Sequence, residues 1–346
     1  MDEGDERMNE RYSRQMLFPP IGENGQKQLR DKRVLIVGAG ALGTGNAELL
    51  ARAGVGRLTI IDRDYVEFSN LQRQLLYTEA DAKQRLPKAV ALQRHLAEIN
   101  SETAVDAHVA DASVDELKEL AAGADLLIDA TDNFETRFVI NAISQKYNVP
   151  WIYGACVGSY GISFMIIPGR TPCLNCLMED IPDGGATCDT VGIIAPAVQM
   201  VVAHQTAEAL KWLTGNHQAL RNELVSFDLW ANRHSAVRVE HLRKPDCPSC
   251  GNDAVYPYLS RERLTRTSVL CGRDTVQIRP PRPVRRDLAQ LAERLRASGG
   301  AVESNPYLVV YTHGKHRMVF FQDGRVLIHG TGDPAEAKSL FHRFLG

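Results

Sequence analysis

The chain has 346 residues, of which 44% are hydrophobic and 24% charged, and its formal net charge is −2. This length allows one large domain or two smaller ones. A near-neutral charge without a conspicuous basic run argues against a nucleic-acid partner. No uninterrupted apolar stretch is long enough to span a bilayer, so we expect no membrane association. The highly charged N-terminus lacks an apolar signal core, which predicts a cytoplasmic protein.

The first segment with a candidate function is Asn9–Asp31, a polar stretch that contains Arg14. It fits a solvated N-terminal helix, because charged residues dominate it. It also fits an arm whose arginine reaches a phosphate group. Its composition leaves both interpretations open.

Residues 34–62 predict a βαβ unit. Val34–Val37 reads as a strand buried on both faces, and a helix follows it, then a second apolar run that ends at Asp62. The turn between strand and helix has G-x-G-x-x-G spacing, formed by Gly38, Gly40 and Gly43. Such glycines let the backbone approach a phosphate at a helix N-terminus, and an acidic residue after the second strand can bind a ribose. The unit predicts an adenine-nucleotide site, for which NAD and FAD are the usual ligands.

A polar cluster follows the second strand, at the sheet edge where open α/β sheets bind ligands. Its members are Asp64, Asn70, Arg73 and Gln74. A triphosphate needs such cations to neutralise its charge, whereas NAD has little use for them. Lys88 lies in the first turn of the next predicted helix, where cations are disfavoured. It is therefore either a phosphate ligand or an exposed lysine.

Another apolar strand, Asp125–Asp129, leads directly into Asp132 and Asn133. Carboxylates beside a polyphosphate indicate Mg²⁺, which prefers one or two carboxylates together with phosphate oxygens and water. Either residue could also cap the following helix, and the two roles are compatible.

Four cysteines form two C-x-x-C pairs, Cys173 with Cys176 and Cys247 with Cys250. Two such pairs in a cytosolic protein predict a tetrahedral Zn²⁺ site that is structural, because no position is left for a reactive water. Redox pairs are the alternative. Cys188 stands apart on a polar, glycine-containing stretch, Leu177–Val191, as either a passive small residue or a nucleophile on a mobile loop.

The predicted organisation is α/β: residues 1–258 form a Rossmann-like, mostly parallel sheet with helices on both faces and an antiparallel extension. Residues 259–346 form a small C-terminal α+β domain with helices at Arg286–Ala297 and Ala335–Phe344. No catalytic constellation is evident in this second domain, so its role stays open.

With these residues placed, residues 9–258 resemble the ThiF/MoeB/HesA family of the ubiquitin-activating enzyme superfamily. Besides both C-x-x-C pairs, the matching motifs are RYSRQ at Arg11–Gln15, GAGALG at Gly38–Gly43, SNLQRQ at Ser69–Gln74, PK at Pro87–Lys88, ATDN at Ala130–Asn133 and TCDTVGIIAP at Thr187–Pro196. The resemblance implies ATP-dependent adenylylation of the C-terminal glycine of a ubiquitin-like sulfur-carrier protein, with release of pyrophosphate. We expect a ThiS-type carrier of thiamine thiazole biosynthesis; a MoaD-type carrier of molybdopterin biosynthesis is the alternative.

The resemblance also implies roles for individual residues. Asp62 would hold the ribose, Asn70, Arg73 and Lys88 the phosphates, and Asp132 the Mg²⁺, while Asp64, Gln74 and Asn133 complete the nucleotide site. Arg14 would come from the other subunit of a homodimer, and the Zn²⁺ would be structural. In thiazole-type relatives a loop cysteine like Cys188 can join the carrier covalently during sulfur transfer, whereas its counterpart in molybdopterin-type relatives is dispensable, so both roles stay open. A sulfur donor such as a cysteine desulfurase would be a further partner.

Two other classes of function compete with this one. An NAD-dependent dehydrogenase with a structural zinc explains the glycines and the cysteine pairs, but it leaves the cationic cluster around Arg73 unexplained. A non-catalytic protein that holds a ubiquitin-like partner would not need the phosphate-binding set. A carboxylate that attacks phosphorus is already ionised, so the absence of an evident general base agrees with adenylylation.

Overall fold

The computed structural model describes residues 3–178, 191–260, 267–269, 274–279 and 284–345, with side chains from residue 10 onward except those of the strand at 267–269. The chain divides into two compact units, one of residues 1–185 and 193–262 and the other of residues 186–192 and 263–346. Each unit contains one sheet, and we describe each by itself.

The first unit contains an eight-stranded sheet of order β3-β2-β1-β4-β5-β6-β7-β8. Its strands are β1 (Arg33–Val37), β2 (Arg57–Asp62), β3 (Ala104–Val109), β4 (Leu126–Asp129), β5 (Trp151–Val157), β6 (Tyr160–Ile166), β7 (Glu223–Asp228) and β8 (Arg233–Arg238). β1 to β5 pair in parallel, and β6, β7 and β8 extend the sheet in antiparallel fashion. The predicted Rossmann-like sheet with an antiparallel extension is confirmed.

Helices connect the strands and cover the sheet. They are α1 (Glu3–Met16), α2 (Gly22–Asp31), α3 (Ala41–Ala53), α4 (Glu79–Gln84), α5 (Lys88–Ile99), α6 (Val114–Leu120), α7 (Phe134–Tyr147), α8 (Leu174–Leu177) and α9 (Ala195–Leu213). Consecutive residues of β1, from Val34 to Val37, are all buried, which requires cover on both faces. The long helix α9 packs against α3, β5 and β6 in the middle of the core.

The second unit contains a six-stranded antiparallel sheet, β11-β12-β13-β14-β10-β9, and two helices. The elements are β9 (Thr267–Val269), β10 (Thr275–Ile278), α10 (Leu288–Arg296), β11 (Ala301–Ser304), β12 (Leu308–His313), β13 (His316–Phe321), β14 (Val326–His329) and α11 (Pro334–Leu345). Alternate strand residues such as Val309, Tyr311 and Phe320 build a separate core with Leu291 and Leu295 of α10. This α+β architecture, with α10 and α11 at the two predicted helix positions, agrees with the predicted fold class.

Among the described residues, no helix combines the length and apolar character that a bilayer crossing requires.

Candidate functional site

The predicted nucleotide-binding residues converge where the strand order reverses. β1 lies between β2 and β4, so the loops after these three strands meet at one edge of the sheet. Backbone hydrogen bonds join them: the Gly38 N–H donates to the Ile61 carbonyl (2.8 Å), and the Ala130 N–H donates to the Val37 carbonyl (2.9 Å). We call this edge the crevice.

The three glycines of the loop serve two different purposes. Gly38 has φ +103°, and a Cβ there would lie 2.5 Å from the Ala130 carbonyl oxygen. A Cβ at Gly43 would overlap the Gly38 carbonyl oxygen. Gly40 is different, because the only neighbour a Cβ would meet is Nε2 of Gln74, 3.9 Å away. Packing requires the first two glycines, whereas Gly40 leaves space in front of the N-terminus of α3, where an anion is favoured.

Asp62 is placed by two backbone donors at the end of β2. Its carboxylate accepts hydrogen bonds from the N–H of Ala39 (2.6 Å) and of Asp64 (2.7 Å). Burial raises the pKa of Asp62, and the nearby charge of Lys88 opposes that rise. The carboxylate is therefore fixed against the glycine loop, where it could accept from ribose hydroxyls.

Lys88 is buried, which resolves the choice between an exposed lysine and an inward-facing one. Its side chain is 5% exposed, and its Nζ lies 3.2 Å from the Asp64 carboxylate. The hydroxyl of Tyr77 lies 2.7 Å from the Ala39 carbonyl and 3.0 Å from the Lys88 carbonyl, so it joins the glycine loop to the start of α5. The sequence analysis missed Tyr77, because a tyrosine between two motifs carries no spacing signal.

The segment between β2 and α4 contains three polar residues that differ in burial and in hydrogen bonding. The carboxamide of Asn70 is buried, and its Oδ1 accepts from the Glu67 N–H (2.9 Å), so Asn70 shapes the turn. Arg73 is half-buried, and its guanidinium donates a solvent-exposed hydrogen bond to the Ser69 carbonyl (2.9 Å). Gln74 is 4% exposed, and its Oε1 has no hydrogen-bond partner among the described residues. An orphaned acceptor beside Gly40 fits a site that a ligand donor completes.

The loop after β4 presents Asp132 to solvent, while its neighbour Asn133 caps α7 by accepting from the Thr136 N–H (2.8 Å). A buried ion pair holds this loop: Nε of Arg137 lies 2.9 Å from the Asp129 carboxylate. Arg137 also donates to the Thr131 carbonyl (2.7 Å). The sequence analysis missed Arg137, although its i+8 spacing from Asp129 at a strand-to-helix turn offered a signal.

Arg14 does not join the crevice of its own chain. Its neighbour Gln15 donates to the Ala53 carbonyl (2.9 Å) and Arg11 donates to the Ile99 carbonyl (3.1 Å), so this part of α1 lies at the C-terminal ends of α3 and α5. The crevice is at the opposite end of α3, whose 13 residues span about 20 Å. Arg14 itself is exposed.

The four predicted metal ligands come together. The sulfurs of Cys173, Cys176, Cys247 and Cys250 all lie within 4.8 Å of one another. Three of the pairs are 3.4–4.0 Å apart. The hydrogen bond from Cys173 lowers the pKa of Cys247 to about 6. Asn141 of α7 fixes the first pair by accepting from the Leu174 N–H (2.9 Å). The cluster could hold a metal ion and leaves no ligand position free.

Cys188 lies outside the described residues, as does most of the Leu177–Val191 stretch that was predicted as a loop. Its role as a passive residue or a nucleophile therefore stays a prediction.

Comparisons with known proteins agree with the family that the sequence motifs indicate. The ThiF family profile matches residues 12–249. A sulfur carrier protein ThiS adenylyltransferase of Bacillus subtilis (strain 168) is 52% identical over 98% of this chain and all of its own length. A molybdopterin-synthase adenylyltransferase of Escherichia coli (strain K12) is 36% identical, over 70% of this chain and 96% of its own length. A crystal structure of E. coli MccB with succinimide has a TM-score of 0.61 at 23% identity, covers 70% of this chain and 74% of its own, and supports the fold alone.

Proposed function

The chain belongs to the ThiF family, and from that premise we propose that it is an adenylyltransferase that activates a ubiquitin-like sulfur-carrier protein. The carrier's C-terminal carboxylate attacks the α-phosphate of ATP, an acyl-adenylate forms, and pyrophosphate leaves. The B. subtilis relative, which spans both units, is named for ThiS, and we assign a ThiS-type carrier on that basis. The family resemblance predicted from the motifs is confirmed.

One observation carries this proposal: a glycine loop with open space at Gly40 faces a buried lysine. The side chain of Lys88 costs free energy to bury, and Asp64 offsets that cost. A bound polyphosphate would supply a further counter-charge at the same point. A dehydrogenase gains nothing from this arrangement, because hydride transfer needs no charge neutralisation at a γ-phosphate.

Adenylylation requires the protein to position the reactants and to neutralise the charge of the phosphates. An α-carboxyl group has a pKa of about 3.5, so the carrier's carboxylate is ionised without a base. Catalysis then depends on aligning the carboxylate with the phosphorus and on stabilising charge on the phosphate oxygens. Lys88 and Arg73 would provide that charge, Asn70 and Gln74 would hold the phosphates, and Asp62 would hold the ribose.

Two metal ions fit the residues present. Asp132 is exposed at the crevice while Asp129 is occupied by Arg137, so Asp132 with Asn133 beside it would hold Mg²⁺, which screens phosphate charge when bound. The four cysteines would hold Zn²⁺. Tetrahedral Zn–S bonds of about 2.3 Å place sulfurs about 3.8 Å apart. Three of the six sulfur separations, 3.4–4.0 Å, bracket that value, and all six are within 4.8 Å.

A homodimer would explain Arg14. Its position at the far end of α3 keeps it from its own crevice, so a phosphate contact by Arg14 requires a second chain. The residues that follow α1 support such a contact, because Leu17 and Phe18 are 70% and 57% exposed. Apolar side chains of this size on one surface segment are typical of protein interfaces.

The carrier would approach along the crevice edge. The turns between β5 and β6 and between β7 and β8 lie at this edge, since Tyr160 pairs with Asp228. Ser159 joins the turns by donating to Asp228 (2.7 Å). Tyr160 and Trp230 are 43% and 81% exposed there. They offer an apolar surface from which a flexible C-terminal tail could reach the crevice.

Pyrophosphate exchange into ATP tests the proposal. We expect exchange that depends on a ThiS-type carrier with an intact C-terminal glycine, and none when that glycine is deleted. A MoaD-type carrier should support much slower exchange; if it is the better substrate, the molybdopterin alternative is correct. Exchange with neither carrier, together with reduction of NAD by some substrate, would contradict the proposal.

Subunit mixing tests the dimer. Chains with Arg14→Ala and chains with Arg73→Ala should each be inactive, while an exchanged heterodimer should have one site without either defect. We expect recovery of about half the activity per heterodimer. Verified heterodimers without recovery would place Arg14 outside the neighbour's site.

A further inference from the structure

The second unit differs in charge from the rest of the chain. Residues 259–346 contain 15 lysines and arginines against 8 aspartates and glutamates, a formal charge of +7, while residues 1–258 carry −9. The overall charge of −2 conceals this asymmetry. Four of the arginines, Arg279, Arg282, Arg285 and Arg286, fall within eight residues. A basic domain attached to an acidic one indicates an anionic partner.

A cleft in the second unit contains two of these arginines. It has a volume of about 600 Å³ and lies between the start of α10, the β11–β12 turn and the β13–β14 turn. Arg285 and Arg286 line it together with the polar side chains of Ser304, Asn305 and Gln322. A second cleft of about 410 Å³, lined by Gln290 and Arg294, also includes Arg286. Arg286 therefore stands where the two meet.

Arg286 is held in place, and one nitrogen of its guanidinium has no hydrogen-bond acceptor among the described residues. Its backbone N–H donates to the Gln322 carbonyl (2.8 Å), and its guanidinium lies 5.9 Å from the Phe320 ring centre. Its Nη1 is buried and has no hydrogen-bond partner among the described residues. Burial, and then the charge of Arg294, lower the pKa of Arg286, and the charge of Asp323 opposes that decrease. A buried guanidinium N–H without an acceptor is costly, and a bound anion would remove that cost.

The lining favours an acidic peptide over a nucleic acid. Among the described residues of this unit, the only large apolar side chain that is strongly exposed is Val284, so no aromatic platform is available for base stacking. The carboxylate of Asp287 at the rim would repel a continuous phosphate backbone. It also occupies the first N–H groups of α10, those of Ala289 and Gln290 (both 3.0 Å), so the arginines remain as the anion-binding groups.

We propose that this cleft binds an acidic segment of a protein partner, with a carboxylate paired to the guanidinium of Arg286. Arg285 and Arg294 attract neighbouring acidic residues on either side. The amide side chains of Asn305 and Gln322 lie where the peptide backbone would pass. The adenylyltransferase relative from E. coli is matched over 96% of its length by 70% of this chain, so this site would serve partner choice and not the adenylylation chemistry.

Fluorescence anisotropy with the full chain and a labelled peptide of alternating glutamate and glycine tests this site. We expect saturable binding that weakens with salt, and none with a glutamine–glycine peptide. Arg286→Gln should weaken binding about tenfold, as expected for a lost charged hydrogen bond. The matched control is Arg296→Gln, an exposed residue of α10 outside both clefts, which should change the affinity less than about twofold.

Three results would overturn the proposal. They are no binding of the acidic peptide by the wild-type chain, equal loss in the two variants, and tighter binding of a single-stranded oligonucleotide that displaces the peptide. A thermal melt adds an independent check: Arg286→Gln should melt at or above the wild-type temperature, because it removes a buried guanidinium N–H that has no acceptor. Neither readout uses ATP or the carrier, so failure here leaves the proposed function intact.

Discussion

The crevice of the first unit and the cleft of the second unit differ in how their cations are paired. At the crevice, Lys88 lies 3.2 Å from Asp64 and Arg137 lies 2.9 Å from Asp129, so both of these buried cations have a carboxylate partner. At the cleft, the Nη1 of Arg286 is buried without an acceptor. A site that already balances its charges can hold its geometry before a substrate arrives, which is what catalysis requires. A guanidinium N–H without an acceptor leaves a hydrogen bond for a bound carboxylate to form.

The largest expected effect breaks the first unit's chemistry without touching its fold. Arg73→Ala should lower pyrophosphate exchange by about 10²–10³-fold, because the guanidinium would stabilise transition-state charge. The melting temperature should change little, since the hydrogen bond that Arg73 donates to the Ser69 carbonyl is solvent-exposed. Arg52→Ala, at an exposed arginine that pairs with Glu48 on α3, is the control and should keep full activity. Equal activity in both variants would remove Arg73 from the site.

Asp132→Asn should cause a similar loss through the metal. It removes a carboxylate that is exposed at the crevice, so the variant should need more Mg²⁺ for the same exchange rate. A Mg²⁺ titration curve identical to that of the wild type would assign the metal to another residue.

The next effect separates stability from chemistry. Cys176→Ser should lose the bound metal and lower the melting temperature by about 10 °C or more, because metal-binding energy is also folding energy. Elemental analysis and a thermal melt measure both quantities. Cys156→Ser, a cysteine on β5 outside the cluster, is the control and should retain the metal. Retention of metal in the Cys176 variant would mean that the ligands are assigned wrongly.

Substitutions in the glycine loop should have smaller effects, and they test whether the phosphates bind at the crevice. Gly40→Ala should fold normally and bind ATP about tenfold more weakly, because the new methyl group fills space meant for a phosphate. Gly43→Ala should instead destabilise the protein, since its Cβ would overlap the Gly38 carbonyl oxygen. Calorimetry of ATP binding and thermal melts distinguish the two. Normal ATP affinity in the Gly40 variant would place the phosphates elsewhere.

A pH effect should arise in the first unit, away from the crevice. Burial, and then Arg221, lower the pKa of His204 from 6.5 to about 4. Between pH 6.5 and 4 the unfolded chain therefore binds a proton that the folded chain does not, so stability falls as the pH decreases. From pH 7.5 to pH 5 we expect a loss of about 1 kcal/mol after allowance for solvent exposure. His204→Gln should flatten that part of the stability–pH curve; an unchanged curve would exclude His204 as its source.

The smallest expected effect concerns Cys188. Cys188→Ala should leave metal content, melting temperature and pyrophosphate exchange unchanged, because the predicted role is covalent attachment of the carrier and not adenylylation. Mass spectrometry of the unreduced mixture should detect a carrier adduct with the wild type alone. An adduct in the variant, or none with either protein, would leave Cys188 without a chemical role.

The sequence by itself determined most of the first unit. The order of apolar strands and periodic helices specified the parallel sheet, because local hydrophobic patterns encode a buried strand or a helix face. The glycine spacing and the two C-x-x-C pairs predicted a phosphate site and a metal site for a similar reason, because residues close together in sequence define each pattern. Asp62, Lys88 and Asp132 follow from strands and helices whose ends must meet at one edge.

Only the tertiary structure showed which side chains lie at the crevice and which hold the loops around it in place. Tyr77 joins the glycine loop to α5, and Arg137 holds the loop of Asp132, through contacts between segments that no local spacing connects. The structure also separated the open Gly40 from the packed Gly38 and Gly43, and it placed Arg14 at the far end of α3. In the second unit it revealed that the Nη1 of Arg286 is buried without an acceptor. Pairing and burial are properties of atoms brought together from distant parts of the chain, and the sequence pattern does not carry them.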